Sequence, residues 1–296
     1  YSLIPDFGGF LVKANSEGLP GPQDFGRTHA DGANMLADAL EPYDGIVMWR
    51  AFVYAPNSPD RANQAYDEFM PLDGEFRDNV LIQIKNGPVD FQPREPFSPL
   101  FGGMSKTAMM VEFQITQEYM GGSNHLVYLS TQLEECLDSD THCDNEYSTV
   151  AEITSGKAYP EVYNTTAIAG VANIGRDKNW CGHYFAQSSW YAFGRLAWNA
   201  ELSSEEIARE WLQQTFSTAP EFVEPVLDMM MTSRETAVDY MMPLGLHHIF
   251  AGEHHYGPEP WYAPEGLRID WLPKYYHKAG ADGIGFDRTR SGSGNV

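Results

Sequence analysis

The sequence predicts an α/β protein, in which helices cover a parallel sheet and a helical region follows the sheet. Apolar runs of the kind found in strands buried on both faces alternate with segments of helical periodicity. These runs stop near residue 185, and only helical patterns follow. The chain has 296 residues, 43% of them hydrophobic and 20% charged, which excludes wholesale disorder. We therefore expect an α/β part over residues 1–185 and a helical part over residues 186–296.

Five apolar runs predict the strands of the sheet. In chain order they span residues 10–14, 45–53, 80–85, 109–115 and 167–172. The segments between them predict helices over residues 33–40, 61–69 and 125–137. Strands that alternate with helices form parallel sheets, because each helix carries the chain back to the end of the sheet at which the preceding strand began.

Three helical patterns predict the region that follows the sheet, over residues 185–199, 203–216 and 220–242. Ser203 is a favourable N-cap, and Glu205 and Glu206 follow in the first turn, where the helix dipole favours carboxylates. From Gly245 onward the chain is rich in His, Gly, Pro and Trp, which predicts loops.

The charge balance restricts the classes of partner. The chain has 19 basic and 41 acidic residues, a net charge of −22. Nucleic acids and anionic membrane surfaces repel such a protein, so we expect neither as a partner. No apolar run approaches the ~18 residues of a transmembrane helix, so no membrane span is expected.

The first residues show neither a starting Met nor a signal-peptide pattern, so we expect the sequence to begin within a longer protein. The three cysteines form no Cys-x-x-Cys pair, which argues against a zinc site and against a disulfide scaffold. Cys136 and Cys143 either pair across a short loop or remain inert thiols.

Three basic residues lie within or directly after the apolar runs. They are Lys13, Arg50 and Lys85, on three successive predicted strands. The carboxyl ends of parallel strands collect the chemistry of such folds, and a buried cation needs an anion beside it. The three side chains either form internal salt bridges or converge on an anionic ligand. In so acidic a protein, a small carboxylated molecule is a better ligand than a polyanion.

Three acidic residues follow the predicted strands in loop or turn contexts: Glu17, Asp90 and Glu118. Carboxylates on one face suit glycoside hydrolysis, in which one protonates the leaving oxygen and another acts on the opposite side of the sugar. The alternative is a set of helix caps and loop hydrogen bonds. Glu112, inside a strand, is interpreted as structural. Arg94 and Glu95 are also interpreted as structural, as a pair that forms with each other.

The histidines predict neither a metal site nor a nucleophilic triad. His247, His248, His254 and His255 surround Glu253 at a spacing that matches no zinc pattern, and we expect this loop to contact substrate or another subunit. The Gly-x-Ser-x-Gly elbow and the Gly-rich phosphate loop are absent from the sequence. We expect no metal and no cofactor. A further hypothesis pairs His29 with Asp31 near the first strand end.

At these residues the sequence closely resembles the α-glucuronidases of glycoside hydrolase family 67. The resemblance covers nearly the whole chain. The segments that carry it are VKANSEG (12–18), RTHADGAN (27–34), IVMWR (46–50), QIKNGPVDFQPREPF (83–97), EFQITQEY (112–119), PLGLHH (243–248) and GIGFDRT (283–289).

The resemblance implies an N-terminal β domain, a central (β/α)8 TIM barrel and a helical C-terminal domain. Five of the eight barrel strands are visible in this chain. It also implies removal, with inversion, of 4-O-methyl-D-glucuronic acid that is α-1,2-linked to the terminal non-reducing xylose of xylo-oligosaccharides. By motif, Glu17 is the general acid, and Asp90 and Glu118 position and deprotonate the water. The uronate ligands by motif are Lys13, Arg50 and Lys85.

Two alternatives to this function stay open: a glycosidase of the same barrel type acting on a neutral sugar, and a non-catalytic carbohydrate-binding fragment. Because three barrel strands are missing from an open sheet, we expect residues 1–296 alone to be poorly soluble and inactive. Some relatives form homodimers through the helical domain, and this chain is a candidate for the same contact. The triplet Asn164-Thr165-Thr166 and the cysteines favour secretion, with an intracellular location as the alternative.

Overall fold

Five parallel strands form a sheet that curls into a half-barrel. The computed structural model describes residues 1–16, 18–53, 63–87, 91–94, 97–116, 118–119, 125–268 and 271–273. The strands are β1 (Gly9–Lys13), β2 (Ile46–Arg50), β3 (Val80–Lys85), β4 (Met109–Gln114) and β5 (Ile168–Val171). They lie in chain order, and each pairs in parallel with the next. The predicted α/β class, with a partial (β/α) barrel followed by a helical region, is confirmed.

Helices connect the strands and form the region that follows them. They are α1 (His29–Leu40), α2 (Gln64–Phe69), α3 (Leu100–Gly103), α4 (Ser130–Asp138), α5 (Val150–Thr154), α6 (Ala186–Trp198), α7 (Ser204–Thr215) and α8 (Pro220–Met241), with a short helical turn at Ala251–His254. Shorter 3-10 turns occur at Pro22–Phe25, Glu41–Tyr43, Met70–Leu72, Pro243–Gly245 and His247–Ile249.

The helix bounds differ from the prediction where capping residues decide them. α1 begins four residues early because the Thr28 hydroxyl accepts a hydrogen bond from the Asp31 amide (3.0 Å), while the Asp31 carboxylate accepts one from the Thr28 amide (2.9 Å). The predicted Ser203 cap of α7 is confirmed, since its hydroxyl accepts from the Glu206 amide at 3.2 Å. Residues 61–62 of the second predicted helix lie outside the described residues.

The two faces of the sheet have different chemistry. The convex face packs against the helices through buried side chains such as Trp49, Ile82 and Phe113. Side chains on the concave face are apolar toward the amino ends of the strands, as at Leu81 and Met110. Toward the carboxyl ends the same face is polar. It carries Lys13, Arg50, Gln83, Lys85, Glu112 and Gln114, because residues paired in register or two apart share a face.

Strand β1 forms one edge of the described sheet. Within the described residues it pairs with β2, and its other side is open. Phe10 and Leu11 on this strand are 50% and 52% exposed, respectively, which is unusual for strand residues of this size. An apolar edge of this kind is a surface on which further strands can add.

The helical region is joined firmly to the half-barrel. α6 packs on α7, and α7 packs on α8. Before α4, the amide of the buried Tyr128 donates to the hydroxyl of Ser233 on α8 (2.8 Å), and its own hydroxyl donates to the carbonyl of Ser204 (3.0 Å). The connection between β4 and β5 is therefore held by two helices that come later in the chain.

Two further expectations concern bonds and membranes. Cys136, Cys143 and Cys181 are free thiols, so Cys136 and Cys143 do not form a disulfide with each other. Across the ranges that the structure describes, no helix is both long and apolar enough to cross a membrane.

Candidate active site

A cavity of about 330 Å³ opens at the carboxyl ends of the strands. Each of the five strands contributes its last residue to the wall: Lys13, Arg50, Lys85, Gln114 and Val171. The connection after β4 adds Glu118 and Tyr119 to the same cavity. The structure thus brings together the three predicted cations and one of the three predicted acids.

A larger cavity, of about 480 Å³, lies at the opposite ends of the strands. Its wall includes Ile46 at the start of β2 and Asn79 just before β3, with the acidic residues Asp38, Glu41 and Asp44 around them. Parallel sheets bind ligands beyond the carboxyl ends of their strands. We therefore place the candidate site in the smaller cavity.

The three cations gather around one aromatic ring, that of Phe52. The distances to the ring centroid are 3.4 Å for Lys85 Nζ, 5.1 Å for Arg50 Cζ and 5.9 Å for Lys13 Nζ. Lys85 Nζ also lies 4.5 Å from the ring centroid of Phe91. Cations within about 6 Å of an aromatic face are attracted by its quadrupole. Phe52 therefore helps to hold three like charges in one place.

Arg50 is held by a buried carboxylate. Its Nε and one terminal nitrogen donate to the two oxygens of Glu112 at 2.6 and 2.5 Å, and Gln83 Nε2 donates to the same carboxylate at 2.6 Å. Glu112 is fully buried, and the Arg50 side chain is 13% exposed. Arg50 therefore forms an internal salt bridge, which was one of the two alternatives. The salt bridge also fixes the guanidinium in the cavity wall. A role of Arg50 in binding an anionic ligand stays a prediction.

The carboxylate of Glu118 is partly oriented by Gln114. Gln114 Nε2 donates to Glu118 Oε2 at 3.4 Å, and both side chains are half-buried. The segment between them is tied to the loop after β5, because the Thr116 hydroxyl accepts from the Asn173 amide at 3.1 Å. Glu17 and Asp90 lie outside the described residues, so their predicted roles stay predictions.

The loop before Glu17 contacts a buried histidine network. Trp49 Nε1 donates to His29 Nδ1 at 3.2 Å, so the ring proton of neutral His29 is on Nε2, which contacts Glu68 Oε2 at 3.1 Å. Asn15 Nδ2 donates to the same oxygen at 3.5 Å. The hypothesis that His29 pairs with Asp31 is wrong, because the Asp31 carboxylate caps α1.

Hydrogen bonds in this network shift the pKa of Glu68. Partial burial of the carboxylate raises its pKa. Hydrogen bonds from His29, Gln64 and Asn15 favour the ionised form and outweigh the burial, so the net pKa is below its ordinary value. At neutral pH Glu68 is therefore an anion, and it contacts Asn15, two residues before the predicted general acid Glu17.

The histidine cluster of the tail packs against the site. His247 is fully buried, and its ring stacks on Tyr119 with centroids 3.7 Å apart and an interplanar angle of 6°. His248 and His254 are also buried, whereas His255 is exposed and lies 5.1 Å from the Tyr119 ring. Within the described residues, no cluster of three or more His, Cys, Asp or Glu side chains is arranged to hold a metal ion.

Arg94 pairs with the helical region. Its guanidinium donates to both oxygens of Glu235 on α8. The partner expected from the sequence, Glu95, lies outside the described residues, so that pairing stays a prediction.

Sequence reasoning missed three residues that shape the cavity: Phe52, Gln114 and Tyr119. Phe52 follows Arg50 by two positions and Gln114 follows Glu112 by two, so strand alternation places each beside a residue already singled out. Tyr119 has no comparable signal, because its stacking partner is more than a hundred positions away in the chain.

Two family models together match the whole chain. The model described as "Glycosyl hydrolase family 67 middle domain" matches residues 1–180, and that described as "Glycosyl hydrolase family 67 C-terminus" matches residues 181–296.

The chain is similar to curated proteins of fungi. The chain is 46% identical over 308 residues to "Alpha-glucuronidase A" of Emericella nidulans and 43% identical over 303 residues to "Alpha-glucuronidase" of Hypocrea jecorina. It is 42% identical over 304 residues to "Probable alpha-glucuronidase A" of Aspergillus flavus. Each alignment covers 100% of this chain and 35% of the relative. The chain thus spans about a third of the length of these relatives.

The buried ion pair gives a first prediction. Glu112→Ala leaves Arg50 buried without its carboxylate, so we expect the free energy of unfolding to fall by about 3–5 kcal/mol. Urea denaturation at neutral pH measures the loss. Glu224→Ala breaks the surface pair with Arg209 and is the matched control, for which we expect a much smaller loss. Equal losses in the two variants contradict the prediction.

Glu68 gives a prediction about pH. Because its pKa is lowered in the folded protein, the carboxylate stabilises the fold above its unfolded pKa of about 4.3, and this stabilisation disappears as the pH falls through the lower folded value. We expect the stability difference between wild type and Glu68→Gln to be largest at neutral pH and to shrink on acidification. Urea denaturation across this range, with the exposed Glu146→Gln as control, measures it. A difference that does not change with pH rules the mechanism out.

Proposed function

The chain belongs to glycosyl hydrolase family 67, and from this membership we propose that it carries the catalytic centre of an α-glucuronidase. The proposed reaction is inverting hydrolysis that releases (4-O-methyl-)D-glucuronic acid, α-1,2-linked to the terminal non-reducing xylose of a xylo-oligosaccharide. The observation that carries the proposal is the group of Lys13, Arg50 and Lys85 around one cavity that also contains Glu118. A cationic pocket beside a carboxylate suits a substrate that bears a carboxylate on the sugar ring whose glycosidic bond is cleaved.

The cations supply the binding step. The substrate carboxylate accepts charge-assisted hydrogen bonds from the ammonium groups of Lys13 and Lys85. The guanidinium of Arg50, which Glu112 holds in place, adds a third positive charge to the pocket. A neutral sugar leaves these groups without their anion, which discriminates against it. The chain as a whole has a net charge of −22, so a small carboxylated substrate suits this pocket better than a polyanion does.

The carboxylates supply the chemical step. Glu17, protonated at the start, donates its proton to the glycosidic oxygen as the bond from that oxygen to C1 of the uronate breaks. Asp90 and Glu118 position a water molecule on the opposite face, one of them takes its proton, and the water oxygen bonds to C1. Inversion requires ~6.5–9.5 Å between acid and base to leave room for this water. The three carboxyl groups and water complete the reaction, so the proposal involves no cofactor.

The stereochemistry of the first product tests the proposal. We expect these residues, as part of a protein of the relatives' full length and given a reduced aldotriouronic acid, to release the β-anomer of the uronic acid first, as read by proton NMR before mutarotation. The same protein is used for every activity measurement below, because residues 1–296 alone are expected to be inactive. Glu118→Gln should lower kcat by about 10²–10⁴-fold, since a group that acts on the water is lost. The exposed Glu146→Gln is the control and should retain wild-type kcat. First appearance of the α-anomer overturns the inverting mechanism, and absence of any release by the protein of full length overturns the function.

Lys85 tests the substrate class. Lys85→Met keeps the length and apolar stem of the side chain and removes its charge. We expect kcat/KM for the uronate-bearing substrate to fall about 10–100-fold, the value of one lost charge-assisted hydrogen bond. The exposed Lys106→Met is the matched control. Undiminished hydrolysis by Lys85→Met favours the alternative of a neutral-sugar glycosidase. If wild type binds the oligosaccharide without cleaving it, the alternative of a non-catalytic binding fragment is favoured.

Two properties of the whole protein belong to the same proposal. Asn164, in the triplet Asn164-Thr165-Thr166, is exposed, which is compatible with a glycan and with secretion. A homodimer formed through the helical region is the proposed assembly.

A further inference from the structure

The helical region contacts the cavity through the stack of His247 on Tyr119. The two rings are nearly parallel, with an interplanar angle of 6° and a centroid separation of 3.7 Å. Tyr119 lines the cavity and is the residue directly after Glu118. A contact that fixes the ring of Tyr119 also restricts the peptide that carries Glu118.

His247 is well placed to act as a fixed support. Its side chain is fully buried, and the rings of His248 and His254 lie 4.1 and 6.2 Å from it. The segment around it is closed by backbone hydrogen bonds from Ala251 to Gly257 and from Glu259 to Ile249, each 2.9 Å long. A ring held in this way keeps its position when the partner ring moves.

Glu118, in contrast, has a weak direct restraint among the described contacts. Its hydrogen bond from Gln114 is 3.4 Å long, near the upper limit for such a bond. The carboxylate and the neighbouring ring are both half-buried at the open end of the half-barrel. The orientation of Glu118 therefore depends on what holds the residues next to it.

We propose that His247 is a positioning residue, which holds Tyr119 by ring stacking and thereby orients Glu118 toward the attacking water. The inference rests on the proposed function, and it assigns to the helical region a part in the geometry of the reaction. Displacement of a catalytic group by about 1 Å costs on the order of 10²-fold in rate. Loss of the stack should therefore lower kcat more than it changes KM.

Three substitutions separate the stacking face from the ring nitrogens. His247→Phe keeps an aromatic face and removes the nitrogens, whereas His247→Asn keeps polar atoms and removes the ring. We expect His247→Ala and His247→Asn to lower kcat about 10- to 100-fold with KM changed by less than about threefold, and His247→Phe to stay within about fivefold of wild type. His142→Ala, at an exposed histidine, is the control for kcat. If His247→Phe is as slow as His247→Ala while His247→Asn is active, stacking is not the role of His247.

Hydrogen–deuterium exchange tests the positioning step without substrate. We expect faster exchange in a peptide covering residues 115–119 in His247→Ala than in wild type, with the peptide covering α1 unchanged. Unchanged exchange in 115–119 overturns the inference whatever the kinetics show. If the wild-type protein of full length releases no uronic acid but exchange increases as expected, the proposed function fails and the positioning contact stands.

Tyr119→Leu removes the other ring of the same stack, which lies on the barrel side. It serves as the test if the variants of the buried His247 do not fold. We expect its kcat to fall about as far as that of His247→Ala. The double variant should lose little more than either single one, because both remove the same contact. Independent, multiplicative losses contradict a shared role.

Discussion

The buried ion pair of Arg50 and Glu112 is the constraint on which the polar end of the sheet depends. A fully buried carboxylate is tolerated only where its oxygens are hydrogen-bonded, and here Arg50 and Gln83 supply those bonds from two neighbouring strands. The pair thus fixes the relative positions of β2, β3 and β4 at their carboxyl ends. It also neutralises one of the three cations, which lowers the repulsion at Lys13 and Lys85 around Phe52.

The supports of the site lie on both sides of the sheet. On the convex side, Trp49, His29 and Glu68 form a partly buried chain of hydrogen bonds that reaches Asn15 in the first loop. On the cavity side, Tyr119 is backed by the helical region. The reaction proposed for this chain requires that its catalytic carboxylates be held within fractions of an ångström. Stacked rings and bidentate hydrogen bonds hold side chains more precisely than loops alone do.

Much of the fold followed from the sequence because apolar runs without polar interruption mark strands that are buried on both faces. Local signals also located α7, whose cap lies at Ser203, whereas α3 has four residues and is too short for any periodicity. The site was predicted in part: strand ends placed the three cations and Glu118 together. The partner of Arg50 is 62 positions away and that of His29 is 39 positions away. Pairings at such separations come from the register of the sheet, which the sequence alone does not specify.

The anchoring of Tyr128 has a consequence for how the chain reaches its native state. Its amide is bonded to a residue 105 positions later, and its hydroxyl to one 76 positions later. During synthesis at ~5–20 residues per second, the connection between β4 and β5 waits several seconds for these acceptors to leave the ribosome. Over that interval the nascent half-barrel exposes apolar surface, and its completion is a late, non-local event of the kind that slows folding.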